Sequence, residues 1–169
     1  IDEHRWQKHK ISFTKKESWN LFIPNSQGDE HLFDNYDQLI DSPVHCGKFN
    51  SHIFYVKNKL HELVLIGEDI TYLPSNFIND LCQICNKTCD LMRELPAATS
   101  KYQIVLILLD KSYGGLEHDN SAVMHFDRKL VKSNHGYRKL LQLIAHEYLH
   151  QWNVRRLRPK EYSIYNYTN

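Results

Sequence analysis

The sequence predicts an α+β domain, with two long helices packed on a mixed sheet of four or five strands. Three observations carry this. Residues 101–110 (KYQIVLILLD) are almost continuously apolar, as a central strand covered on both faces must be. Residues 77–95 and 140–152 place apolar side chains three and four apart, the spacing of helices with one buried face. Residues 48–57 and 61–67 alternate and use β-branched and aromatic side chains, so they read as a strand pair.

Whole-chain properties set the bounds. A length of 169 residues suits one domain, or one domain and part of another. The net charge of +1 gives no reason to expect nucleic acid or an anionic membrane as partner. The longest apolar run, residues 104–109, is far too short to span a bilayer, so no membrane partner is expected. No leader opens the chain, but it begins at Ile1 and not at Met, so the compartment rests on other signs. Of the four cysteines, Cys46, Cys82, Cys85 and Cys89, the last three stand three and four apart on one helix and are poorly placed for disulfides, which favours a reducing compartment and the cytoplasm.

Taken in order, residues 1–34 are polar and hold too little apolar surface for a core of their own. Strand-like snatches lie at 11–13 and 19–23, a turn is expected at Gly28-Asp29, and His4 and His9 read as solvated. This part reads as the tail of a preceding β-rich domain or as a linker, with residues 35–169 forming the main unit. A short helix at 35–40 should stop before Pro43. The strand pair follows, with its turn near Asn58-Lys59. His61-Glu62 does not start a metal motif, because residue 65 is Leu. Pro74 marks the start of the helix that runs to Leu95 and stops before Pro96. That helix carries C-x-x-C-x-x-x-C, which fits thiols buried on its core face better than a metal or redox site. After the central strand come YGGLEHDNS (113–121), a strand at 122–126, and a loop through 134–136 into the last helix.

The last helix carries the chemistry. Within LIAHEYLHQWNVRRLRPK (143–160) lie His146, Glu147 and His150, an H-E-x-x-H pattern inside an apolar stripe of Leu140, Leu141, Ile144, Tyr148 and Trp152. Gly136 and Pro159 are the expected limits of this helix. Residues four apart share a helix face, with Cβ atoms about 5–6 Å apart. Two imidazoles so held can each send a nitrogen to one zinc ion. Glu147, one step round the helix, stands where a general base would deprotonate an attacking water. The plainer reading is a core helix with two surface histidines.

YGGLEHDNS is the second element. Gly114 and Gly115 allow close approach of another backbone, or a bulge in an edge strand beside the H-E-x-x-H helix. A peptide could add to that edge by main-chain pairing, and Glu117 could then pair with a free α-amino group. The alternative is an ordinary Gly-Gly turn with a solvated Glu and His. Arg155, Arg156, Arg158 and Lys160 read as a solvated helix end or as partners for carboxylates.

Together, HEYLHQWNVRRLRP, YGGLEHDNS and YDQLIDSPV, spread from residue 35 to the end, resemble the glycyl aminopeptidase family of zinc peptidases. These are gluzincins that often add a C-terminal PDZ module. The resemblance implies a zincin-like (thermolysin-like) catalytic subdomain, His146 and His150 as zinc ligands, and Glu147 as general base. It implies amine recognition by Glu117, because GGLEH is similar to the G-x-M-E-N segment of the larger aminopeptidase group. It also implies peptide substrates that begin with a small residue such as Gly or Ala. The sequence departs from the family in one respect. Gluzincins take a third ligand from a Glu on a later helix, in a segment like W-x-x-E-G-F, and no such segment is present. Glu161, the only acid downstream, is given no ligand role by the resemblance. The expectation is therefore an incomplete catalytic domain, with zinc weakly held or absent and little activity. The rival is a catalytically silent peptide-binding module using the GGLEH edge, against which the retained Glu147 argues. A third reading is an endopeptidase in which Glu117 is only structural.

Overall fold

The computed structural model describes residues 2–24, 30–97 and 101–162. The Gly28-Asp29 turn lies outside them. In chain order come the short strands β1 (His9–Ile11), β2 (Asn20–Phe22) and β3 (His31–Phe33), helix α1 (Tyr36–Ile40) and strand β4 (His45–Gly47). The main layer is built from β5 (Ser51–Val56), β6 (Lys59–Ile66), helix α2 (Phe77–Met92), β7 (Tyr102–Leu109), β8 (Tyr113–Glu117), β9 (Ser121–Asp127) and helix α3 (Asn134–Leu149). Its sheet is five-stranded, in the order β5-β6-β7-β9-β8. The inner pairs β6–β7 and β7–β9 are parallel, whereas β5–β6 and β9–β8 are antiparallel. The fold is thus a mixed α+β one, and β8 is an edge strand.

The apolar run of β7 is explained by cover on both faces. Ile104, Leu106 and Leu108 point to the core shared with α2 and α3. Val105 and Ile107 point the other way, to Val64, Val123, Phe22 and Phe49. Phe22 belongs to β2, which pairs with β4. Main-chain pairing therefore joins residues on both sides of the boundary expected between 34 and 35. β1 pairs with β3 and spans His9–Ile11, so it meets the strand expected at 11–13 only at Ile11. His4 is exposed as expected, but His9 is half-buried, its ring edge-on to Tyr36 with centroids 5.9 Å apart.

α1 ends before Pro43 as anticipated, capped at its start by Asn35, whose side chain accepts from the Gln38 N–H. α2 is shorter than its apolar stripe suggests, because Arg93 turns into the left-handed conformation (φ 55°) and its N–H closes on Asp90 and Cys89 carbonyls. Cys85 and Cys89 lie in the core, Cys82 is half-buried, and all four cysteines are free thiols. Burial pushes the Cys85 thiol well up.

The limits of α3 differ from those expected. The helix starts at Asn134, with the Ser133 hydroxyl accepting from the Gly136 N–H at 3.0 Å. Gly136 therefore sits in the first turn. Its missing side chain is required by the preceding turn, since a Cβ there would collide with the Leu130 carbonyl. At the other end the helix stops at Leu149, with His150 as cap, and not near Pro159. Turns follow, closed by Arg155 N–H to His150 O (3.1 Å) and Leu157 N–H to Trp152 O (2.7 Å). Among the described residues no helix is long and apolar enough to cross a membrane.

One buried contact fixes how α3 is seated. His61 of β6 is fully enclosed, with Nδ1 3.0 Å from the Lys59 carbonyl and Nε2 2.9 Å from the Tyr148 hydroxyl. Nδ1–H therefore donates to the carbonyl, and Nε2 accepts from Tyr148, which requires a neutral ring. Burial holds the His61 imidazole down to about 4. The folded state binds this proton less well than the unfolded chain. Stability is thus fully present above the ordinary histidine value of 6.5 and is lost as pH falls toward 4. Between pH 7 and pH 5 this loss amounts to about 2 kcal/mol. Urea unfolding across that range should show the loss in the parent chain and its absence in His61→Gln. Parallel pH profiles for the two proteins would refute the assignment.

Candidate active site

His146 and His150 lie on one face of α3, as the four-residue spacing requires, with ring centroids 4.7 Å apart and planes nearly perpendicular. Their Nε2 atoms converge to 3.1 Å. Two nitrogens on one tetrahedral zinc, each at 2.0–2.1 Å, stand about 3.3 Å apart, so the pair fits a shared ion. The second nitrogen of His150 is also engaged: Nδ1 is 2.7 Å from the Asn153 carbonyl. That bond places the proton on Nδ1 and leaves the Nε2 lone pair free for a metal. The turn after α3, which brings Asn153 back under His150, is thus part of the site.

Glu147 is only 4% exposed. It lies against β8 at Gly115, where a Cβ would run into its carboxylate. The absent side chain at 115 is therefore filled by the helix that packs there. Gly114, in contrast, has open space where a Cβ would point and a φ of 154°. Glu147 Oε2 is enclosed without a hydrogen-bond partner among the described residues. Burial raises the carboxyl's pKa; His150 and His146 act against this, and Glu117 adds to it.

Glu117 ends β8, with Oε2 4.0 Å from His150 Nε2. Ligand atoms of Glu117, Glu147 and His150 all lie within 4.8 Å of one another. The structure therefore brings together His146, Glu147, His150, Gly115 and Glu117, with Gly114 open beside them on the edge strand. Glu161 is exposed, in the single turn Lys160–Tyr162, and is not in this cluster.

Sequence reasoning missed a group next to the site. Asp41, at the end of α1, accepts from the Asp119 N–H (2.7 Å) and from Arg155 (3.0 Å), with His118 Nδ1 at 3.3 Å. Arg155, in the basic run read as a solvated helix end or as carboxylate partners, is held by Asp41 and Asp119 and has a side chain only 10% exposed. Arg156 also finds a carboxylate, Glu94 at 2.6 Å. Asp37, Ile40, Asp41, Leu116, Glu117, His118 and Arg155 line a cleft of about 260 Å³ beside the edge strand. The signal available in the sequence was YDQLIDSPV, whose second carboxylate supplies Asp41.

Residues 139–169, which contain the H-E-x-x-H helix, match the family model of M61 glycyl aminopeptidase. The resemblance is to a peptidase family. Among solved structures, the chain is similar to an aminopeptidase N family protein from Idiomarina loihiensis, with 27% identity and a TM-score of 0.85. That likeness covers 99% of this chain and 31% of the other, so the chain spans under a third of that protein's length. No curated protein matches. The family match and the structural match both lead to peptidases.

The contact between Gly115 and Glu147 can be tested by a double-mutant cycle. Gly115→Ala should cost about 1–2 kcal/mol in urea unfolding. Most of that cost should disappear when Glu147→Ala is also present. Costs that simply add would show that the two positions do not meet.

Proposed function

We propose that this chain is the metal-bearing part of a zinc peptidase that removes residues from free peptide N-termini. The observation that carries the reading is the convergence of His146 and His150 Nε2 at 3.1 Å beside an enclosed Glu147 oxygen with no partner among the described residues, all against an edge strand. A helix that presses a carboxylate onto an edge strand in this way is consistent with a zincin-like subdomain. His146 and His150 would hold the ion, and a third protein ligand is needed for tight binding. Zinc bound there would polarise the scissile carbonyl and acidify water.

The residues themselves do the rest. Glu147, its pKa raised by burial, takes a proton from the attacking water and returns it to the leaving amine. The β8 edge at Gly114 and Gly115 pairs with the substrate main chain. Glu117 receives the α-amino group, and Ile40 and Leu116 offer apolar contact to a first side chain such as that of alanine. The peptide is the partner in this reading, with no role for nucleic acid or membrane. With two histidines as its own ligands, the chain alone should hold zinc weakly and turn over slowly. A silent peptide-binding module would have no use for a desolvated carboxylate, which is costly to bury.

Peptides beginning with Gly or Ala, with free or acetylated N-termini, separate the readings when incubated with the zinc-supplemented chain. Cleavage should be confined to free N-termini and should stop in Glu147→Gln. Glu117→Gln should raise KM about tenfold, as expected for a lost charged hydrogen bond. Equal cleavage of acetylated peptides would favour an endopeptidase, and activity surviving Glu147→Gln would contradict the mechanism.

A further inference from the structure

We propose that Asp41 and Arg155 are positioning residues that set the distance between Glu117 and the metal-binding histidines. The proposal rests on the amine role given to Glu117 above. Glu117 and His150 stand 4.0 Å apart and are too far apart to hold each other. The residues just beyond them are tied instead. Gln151, next to His150, donates from Nε2 to the His118 carbonyl, next to Glu117, at 2.8 Å. Arg155, five residues past His150, reaches Asp119 Oδ1 through Nε at 2.7 Å and Nη2 at 2.6 Å. Asp41 completes the knot: Oδ2 accepts from Arg155 and from the Asp119 N–H, and Oδ1 faces the His118 ring.

Three segments distant in sequence thus meet at one carboxylate: the end of α1, the exit of β8 and the exit of α3. Asp41 Oδ2 accepts twice, and Oδ1 is occupied by the His118 ring nitrogen. Asn at this position keeps the shape but removes the negative charge that holds the Arg155 guanidinium, so the knot is loosened. Isolated surface ion pairs contribute little to stability. The Asp41–Arg155 pair is largely covered while Asp119 is exposed, and because they bridge three segments their geometric consequence is larger than their energetic one. An amine-binding carboxylate must stand at a defined distance from the scissile bond, within about 0.5 Å. Asp41 lines the same cleft as Glu117, but in this account it is tied up by Arg155 and the Asp119 N–H and acts through the exit of β8.

The test uses the full 169-residue chain, Asp41→Asn and Arg155→Gln, in two measurements. The first is amide hydrogen exchange at Glu117, His118 and Asp119, which should quicken about tenfold in both variants while β6 and β7 amides are unchanged. The second is an NMR titration with glycyl-leucinamide and acetylglycyl-leucinamide. The parent should prefer the free amine about tenfold. In both variants that preference should fall toward one, with zinc binding retained. Unchanged exchange overturns the proposal. Faster exchange with the amine preference intact also overturns it, because the knot would then be merely structural. No amine preference in the parent removes the amine role of Glu117, and the proposal falls with it.

Discussion

A carboxylate can be buried between α3 and β8 only because β8 has no side chain at residue 115. Much of the site follows from this constraint. Gly115 lets Glu147 lie on the strand, and the enclosed carboxylate holds a raised pKa through loss of water. The same close approach brings the end of β8, with Glu117, beside His150. A larger residue at 115 would push helix and strand apart or turn Glu147 outward, and either movement would change how its carboxylate stands to the histidines.

The rotation of α3 is fixed from beneath. Tyr148 follows Glu147 in the sequence and points into the core, where its hydroxyl donates to His61 and lies 3.6 Å from the Cys89 thiol. Its ring packs edge-on against Tyr102 of β7 and against Trp152 past the helix end. With Tyr148 locked inward, the helical period turns His146 and His150 toward the open side and Glu147 toward β8. Core packing and site geometry are in this respect two consequences of one helix orientation.

The sequence made the secondary structure of the main layer legible because its signals are local. A continuous apolar strand, two apolar stripes and an alternating pair require no knowledge of their partners. The H-E-x-x-H spacing was legible for the same reason, since four residues on a helix determine which side chains meet. Gly136 and Gly115 were harder. In each case glycine is demanded by an atom distant along the chain or by a neighbouring turn, the Leu130 carbonyl in one and Glu147 in the other. A periodicity argument therefore took Gly136 for a boundary. The Asp41 knot was illegible on similar grounds, because it joins residues 114 positions apart. The polar opening segment hid its own contribution, the seating of Phe22 on the far side of the sheet, since one aromatic residue leaves no pattern.

The most direct test of the central claim, that His146 and His150 jointly hold a zinc ion, is calorimetric titration of the chain with zinc at neutral pH. The account predicts one weakly bound equivalent that is lost in His146→Ala and in His150→Ala and retained in Glu147→Gln. Binding that is unchanged by either histidine substitution would place the metal elsewhere and contradict the account.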